Sequence, residues 1–150
     1  MENYIQPIRE FTYQVTAKDI MRFSQATGDV EVKHQSANKN TEDPGLMIAP
    51  TLFCQSLAYE SVPVAQLPSD LSPIELFADT PTTKTVGGSS DYEFSQYVLE
   101  GDTITVTSGV RSIEKKEGRS GTLYLVKVET YFRNQFGEKV AKEIATYVKR

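Results

Sequence analysis

DTITVTSGVRSIEKKEGRSGTLYLVKVETYFRNQFGEKVAKEIATYVK (102–149) decides the fold. Read at a period of two, it divides into three runs bounded by turn residues. Residues 102–115 put Ile104, Val106 and Val110 on one face. Residues 122–134 do the same with Tyr124, Val126, Val128, Thr130 and Phe132, and residues 139–149 with Val140, Ile144 and Val148. Gly118 and Gly121 in "KKEGRSG", and Gly137 in "NQFGEK", stand where hairpins need them. Three long antiparallel strands are therefore predicted.

Upstream, "IAPTLFCQSLAYES" (48–61) is apolar, with Pro50 suited to the first helical position, where its missing N–H costs nothing. Leu52, Phe53, Leu57 and Ala58 make it apolar on more than one side, so a central, buried helix is predicted. A helix covered by an antiparallel sheet is an α+β fold.

Nearer the N-terminus, "EFTYQV" (10–15) alternates as a first strand. Thr16, with Asp19 three residues on, is a capping-box pattern; Ile20, Phe23 and Thr27 follow at helical spacing, and Gly28 suits a helix end. Asp29 thus falls just beyond a helix. Residues 30–45, including "HQSANKNTEDPG", read as loop. Residues 62–86 carry Pro63, Pro68, Pro73 and Pro81 and read as a long connection, with at most one short element near "IELFA". A connection of that length usually has a task or is partly disordered. Gly87 and Gly88, before "SSDYEF", either admit a substrate arm close to the backbone or mark a bulge. Tyr92, Phe94 and Tyr97 read as core or interface, and Asp102 as the residue that closes the turn before its strand.

The 150 residues suit one domain spanning the whole length. With 20 acidic against 16 basic residues the net charge is −4, which argues against a nucleic-acid partner. Lys115, Lys116 and Arg119 read as a solvated hairpin tip. One cysteine permits no intramolecular disulfide and suggests a reducing cytoplasm. No signal peptide and no stretch of about 18 apolar residues is present, so no membrane partner is expected. A single cysteine and a single histidine also leave too few soft ligands for most transition-metal sites. Cys54, at an apolar helical position, reads as a small buried hydrophobe.

The pieces together resemble the MaoC-like dehydratases and (R)-specific enoyl-thioester hydratases of the hot-dog superfamily. "YQVTAKDIMRFSQATGD" (13–29) is similar to that family's first strand and helix leading to a G-D-x-N-P-x-H loop. "IAPTLF" is similar to the start of its central helix, and 98–143 to its long strands. "APT" makes the chain most like the N-terminal hot-dog half of two-part 3-hydroxyacyl dehydratases. Asp29 matches the acid of the motif and His34 its histidine, while Glu31 and Val32 replace its Asn and Pro, and Lys33 holds a variable site.

The resemblance implies reversible dehydration and hydration of a 3-hydroxyacyl or 2-enoyl thioester of CoA or an acyl carrier protein, without metal or other cofactor. It implies Asp29 and His34 as catalytic residues. The backbone N–H of Thr51 is the matching oxyanion donor, and Gly87 and Gly88 are candidates for substrate contact. It also implies a homodimer, or a heterodimer with another hot-dog subunit. Other readings stay open: a non-catalytic scaffold subunit that shapes a partner's acyl site, a tailoring dehydratase or cyclase of secondary metabolism, and a hot-dog thioesterase, for which the helix offers only Glu60.

Overall fold

A computed structural model of the chain describes residues 9–29, 45–58, 80–82 and 84–150. The elements run β1 (Arg9–Gln14), α1 (Ala17–Thr27), α2 (Phe53–Leu57), β2 (Thr85–Phe94), β3 (Thr103–Gly118), β4 (Gly121–Arg133) and β5 (Lys139–Lys149). The strands form one sheet of order β1-β3-β4-β5-β2, antiparallel throughout. The three strands of the C-terminal third lie at its centre. β2 was not foreseen as a strand: it absorbs Thr85 and Val86, which the proline-rich connection was expected to hold. "IELFA" and the rest of that connection up to residue 79 lie outside the described residues.

α1 follows the expected signals closely. The Thr16 hydroxyl accepts from the Asp19 N–H, Asp19 accepts from the Thr16 N–H at 2.9 Å, and Gly28 ends the helix at φ 72°. Such a cap contributes about 1 kcal/mol to helix stability. Ile20 and Ser24 are the buried residues of α1, and Thr27 instead faces solvent and donates its hydroxyl to the Phe23 carbonyl at 2.9 Å.

One face of the sheet packs on the helices. Ile20 of α1, Phe53, Cys54 and Leu57 of α2, and Ile104, Val106, Phe132 and Ala141 of the sheet share one buried cluster. Phe23 meets Phe53 edge to face, centroids 5.6 Å apart, which ties α1 to α2. Each fully buried large aliphatic or aromatic side chain contributes about 1.5–3 kcal/mol.

Three expectations need correction. α2 starts at Phe53 rather than at Pro50, because Pro50 supplies the carbonyl of a preceding turn that accepts from the Phe53 N–H at 2.9 Å. Leu52, at the N-cap, is exposed. In β5 the helix-facing residues are Ala141, Glu143 and Ala145, which lie opposite Phe132, Thr130 and Val128; Ile144 and Val148 point to the other face. Alternation of β-branched residues misled here, since the small alanines are what leave room for a helix above the sheet.

The outer face carries a compact charged group. Glu129, 2% exposed, lies opposite Ile144. Its carboxylate pairs with Lys142 at 2.5 Å and with Arg111 at 3.5 Å. Lys142 and Arg133 lie over the Tyr131 ring, 5.1 and 5.7 Å from its centroid.

Candidate active site

The start of α2 is fastened to the segment that follows β2. Ile48 and Leu99 form an isolated antiparallel bridge. The Ala49 N–H donates to the Val98 carbonyl at 2.8 Å, and the Glu100 N–H to the Met47 carbonyl at 2.9 Å. The far side is held by β5, whose Val140 carbonyl accepts from the Ser95 N–H at 2.9 Å. Asp102 closes the turn below, as expected: its carboxylate accepts from the Leu99 N–H at 2.9 Å and from the Gln135 amide at 3.0 Å.

Between these fastened segments opens a pocket of about 380 Å³. Ala49, Pro50, Thr51 and Cys54 form its helix side, and residues 94–98 the other. Phe94 and Tyr97 stay substantially exposed at its rim. A concave, largely apolar site with a few polar groups at its mouth is the usual form of a small-molecule site.

The sequence-derived candidates do not all converge. Thr51 lines this pocket, in the turn that leads into α2. Asp29 follows the Gly28 cap, half-buried, with its N–H donated to the Ser24 carbonyl at 2.9 Å. His34, and with it Glu31, Val32 and Glu60, lies outside the described residues. Gly87 and Gly88 line a separate, shallow depression of about 190 Å³ beside Thr146 and Tyr147. They mark a bulge: the register shifts between Gly87 and Ser89, and a Cβ on Gly88 would stand 2.8 Å from the Thr146 carbonyl oxygen. A glycine is required there by the sheet itself.

Sequence reasoning missed residues 94–98 as a pocket wall, because the signal depends on a pairing between segments some 50 positions apart, as in Ile48 with Leu99. On the sheet beneath, Glu143 is in phase with Ala141 and Ala145, so it faces the helices.

Burial pushes the Cys54 thiol up to about 12, and the charge of Glu143 adds to the effect. The sulfur is therefore protonated near neutral pH and serves as an apolar wall rather than a nucleophile. A thiol reagent at mildly alkaline pH is expected to leave the folded protein unlabelled and to modify Cys54 fully once denaturant is added. Rapid labelling of the native protein would contradict this.

The chain matches the family described as FAS1-like, dehydratase domain region, over residues 6–143. The chain belongs to this FAS1-like dehydratase family. No curated protein matches it by sequence. Among solved structures, it resembles the ChsH1–ChsH2 complex from Mycobacterium tuberculosis, with a TM-score of 0.73 at 17% identity, over 95% of this chain and 83% of that one. The MaoC-like dehydratase from Rhodospirillum rubrum gives 0.64 at 16%, covering 99% and 94%. The (R)-hydratase from A. caviae involved in PHA biosynthesis gives 0.66 at 14%, covering 98% of each chain. These likenesses show the hot-dog fold, as expected for an α+β member of the FAS1-like dehydratase family. At the level of that family, the chemistry is that of a hydro-lyase.

Proposed function

We propose that this chain is a single hot-dog domain that reversibly adds water to a 2-enoyl thioester, or removes it from the 3-hydroxyacyl thioester, with CoA or an acyl carrier protein as carrier. The observation that carries the proposal is the pocket at the start of α2, in a chain whose family is a dehydratase family. Hydration of an enoyl thioester needs one proton delivered at the α carbon and one hydroxyl at the β carbon. Two positioned acid–base groups suffice for both.

In this reading Asp29 and His34 hold the water between them. An imidazole near its usual pKa of about 6.5 gives and takes a proton with similar ease around neutral pH, and the carboxylate orients it or holds the same water. As charge develops on the thioester oxygen, the Thr51 N–H in the turn before α2 donates to it. Pro50, with no N–H, supplies no such donor. The 94–98 wall then holds the acyl chain, with Phe94 and Tyr97 nearest solvent.

A partner hot dog belongs to this proposal. Among the described residues β1 and β2 are the two edges of the sheet, and β2 is a ten-residue strand paired with β5. A long open edge is usually covered. A second copy or a second hot-dog subunit pairing there gives a homodimer or heterodimer. The structures of ChsH1–ChsH2 and HadBC, the latter a 3R-hydroxyacyl-ACP dehydratase, are of complexes. Among the described residues no helix is long and apolar enough to cross a membrane.

Mass analysis after incubation with a short trans-2-enoyl-CoA tests the reaction type. The expected product has gained one water and kept its thioester. Release of free CoA thiol with no hydrated intermediate would instead indicate a thioesterase.

A further inference from the structure

The lining of the pocket divides by exposure. Thr51 and residues 94–97 are exposed and form its mouth. Ala49, Cys54 and Val98, exposed at 3%, 2% and 5%, form its inner end. All three also belong to the core cluster, with Phe53, Leu57 and Ile104. The space therefore ends on packed interior, and its end wall consists of a methyl group, a thiol and an isopropyl group.

That wall is held in place. The Val98 carbonyl accepts from the Ala49 N–H at 2.8 Å, so two of its members are fastened to each other. The Ser95 and Gln96 N–H groups both donate to the Val140 carbonyl, at 2.9 and 3.3 Å, which ties the opposite side to β5. Phe53, next to Cys54 in α2, packs edge to face on Phe23 of α1. Close-packed interior yields little, and forcing extra methylenes into it displaces side chains or backbone.

The space is also small. About 380 Å³ lies near the lower end of the range of about 300–1,000 Å³ for small-molecule sites. A thioester whose carbonyl sits at Thr51 fills the outer part with its carbonyl and reacting carbons. The remainder, toward Cys54 and Val98, is apolar and has room for a short chain.

We propose that Cys54 and Val98 are specificity-determining residues that form the fixed end of the acyl pocket. The preferred substrates are then short-chain 2-enoyl and 3-hydroxyacyl thioesters, and long alkyl chains are excluded. This rests on reading the pocket as the acyl site, with the thioester at Thr51. Neither residue moves a proton of the hydration. They touch the last carbons of a chain that fits, and a longer chain meets the core behind them and draws its thioester away from Thr51.

The test uses saturated acyl-pantetheines from butanoyl to dodecanoyl, since pantetheine is the arm that CoA and acyl carrier proteins share. Binding to the intact protein is measured by calorimetry, and hydration of the matching trans-2-enoyl thioesters is followed in parallel. Wild type is expected to bind its best short chain about tenfold or more tightly than dodecanoyl, because a single methylene in a shaped pocket is worth that much. Cys54→Ala and Val98→Ala, which enlarge the end, are expected to move the preferred length upward. Cys54→Leu, which fills it, is expected to move the preference downward. Circular dichroism shows which variants fold, and the two alanine variants decide if Cys54→Leu does not. Dodecanoyl bound by wild type as tightly as the short chains, or a preference that no folded variant moves, would overturn the inference even if enoyl thioesters are hydrated. The expected shifts without hydration leave the inference standing and remove the catalytic reading. Failure to bind any acyl-pantetheine removes both.

Discussion

Replacing His34 by alanine, or Asp29 by asparagine, is expected to lower kcat/KM for enoyl-thioester hydration by about a hundredfold or more. A positioned acid–base group commonly contributes between about 10² and 10⁴ in rate. The two residues are proposed to act on one water, so their losses should not multiply. The double variant is expected to fall little below the worse single variant, as happens when groups act as a unit. Asp29→Asn preserves shape and removes charge, so it separates the acid–base role from a purely structural one at the end of α1. The measurement is the initial rate of loss of the conjugated thioester absorbance, with circular dichroism showing that each variant keeps its fold. Variants that fold and retain full activity would make the pair vestigial. The chain would then be read as a scaffold for a catalytic hot-dog partner.

The second large effect is on stability. Lys142→Met removes the ammonium nearest to Glu129, whose side chain is only 3% exposed. Breaking a buried pair from one side costs about 3–5 kcal/mol, because the remaining charge stays buried. Arg111 at 3.5 Å and 41% exposed compensates only in part, so about 3 kcal/mol is expected, read from urea unfolding. Replacing both partners, as Glu129→Leu with Lys142→Met, should recover most of that loss. An equally unstable double variant would show that packing around Tyr131, not the charge pair, is what matters.

The same pair has a pH signature. The hydrogen bond from Lys142 to Glu129 holds the ammonium above its ordinary 10.5. A group whose folded-state pKa is raised contributes stability that is fully present below the unfolded value and lost as pH rises through the folded one. Wild type is therefore expected to lose this contribution only in strongly alkaline solution. The Lys142→Met variant should show no such loss from this source.

Local signals were the legible part of this sequence. The Thr16–Asp19 box and Gly28 bound α1 because each acts within one turn of chain. Gly121 and Gly137, at φ 120° and 77°, close the two hairpins for the same reason. What stayed hidden depends on pairing at long range. β2 is polar and glycine-bearing, so its strand character arises from β5 beside it rather than from its own pattern. The helix-facing side of β5 is set by its register with β4, which turns Ile144 and Val148 to the other face, while Val140, beside the irregularity at Arg133, stays in the core cluster.

The candidate site divides in the same way. Asp29 and His34 were legible as a spacing, and Thr51 as a position ahead of a helix. The wall formed by residues 94–98 was not, since it requires Ile48 and Leu99 to meet.

Reversibility is the property to measure first. The intact protein, in heavy water, is given a short trans-2-enoyl-CoA in one reaction and the corresponding 3-hydroxyacyl-CoA in another, and both are followed by NMR. Both reactions should approach the same ratio of enoyl to hydroxyacyl thioester, with deuterium entering at the α carbon as water adds at the β carbon. Absence of change from either side, with the fold intact and a hot-dog partner supplied, would contradict a hydro-lyase.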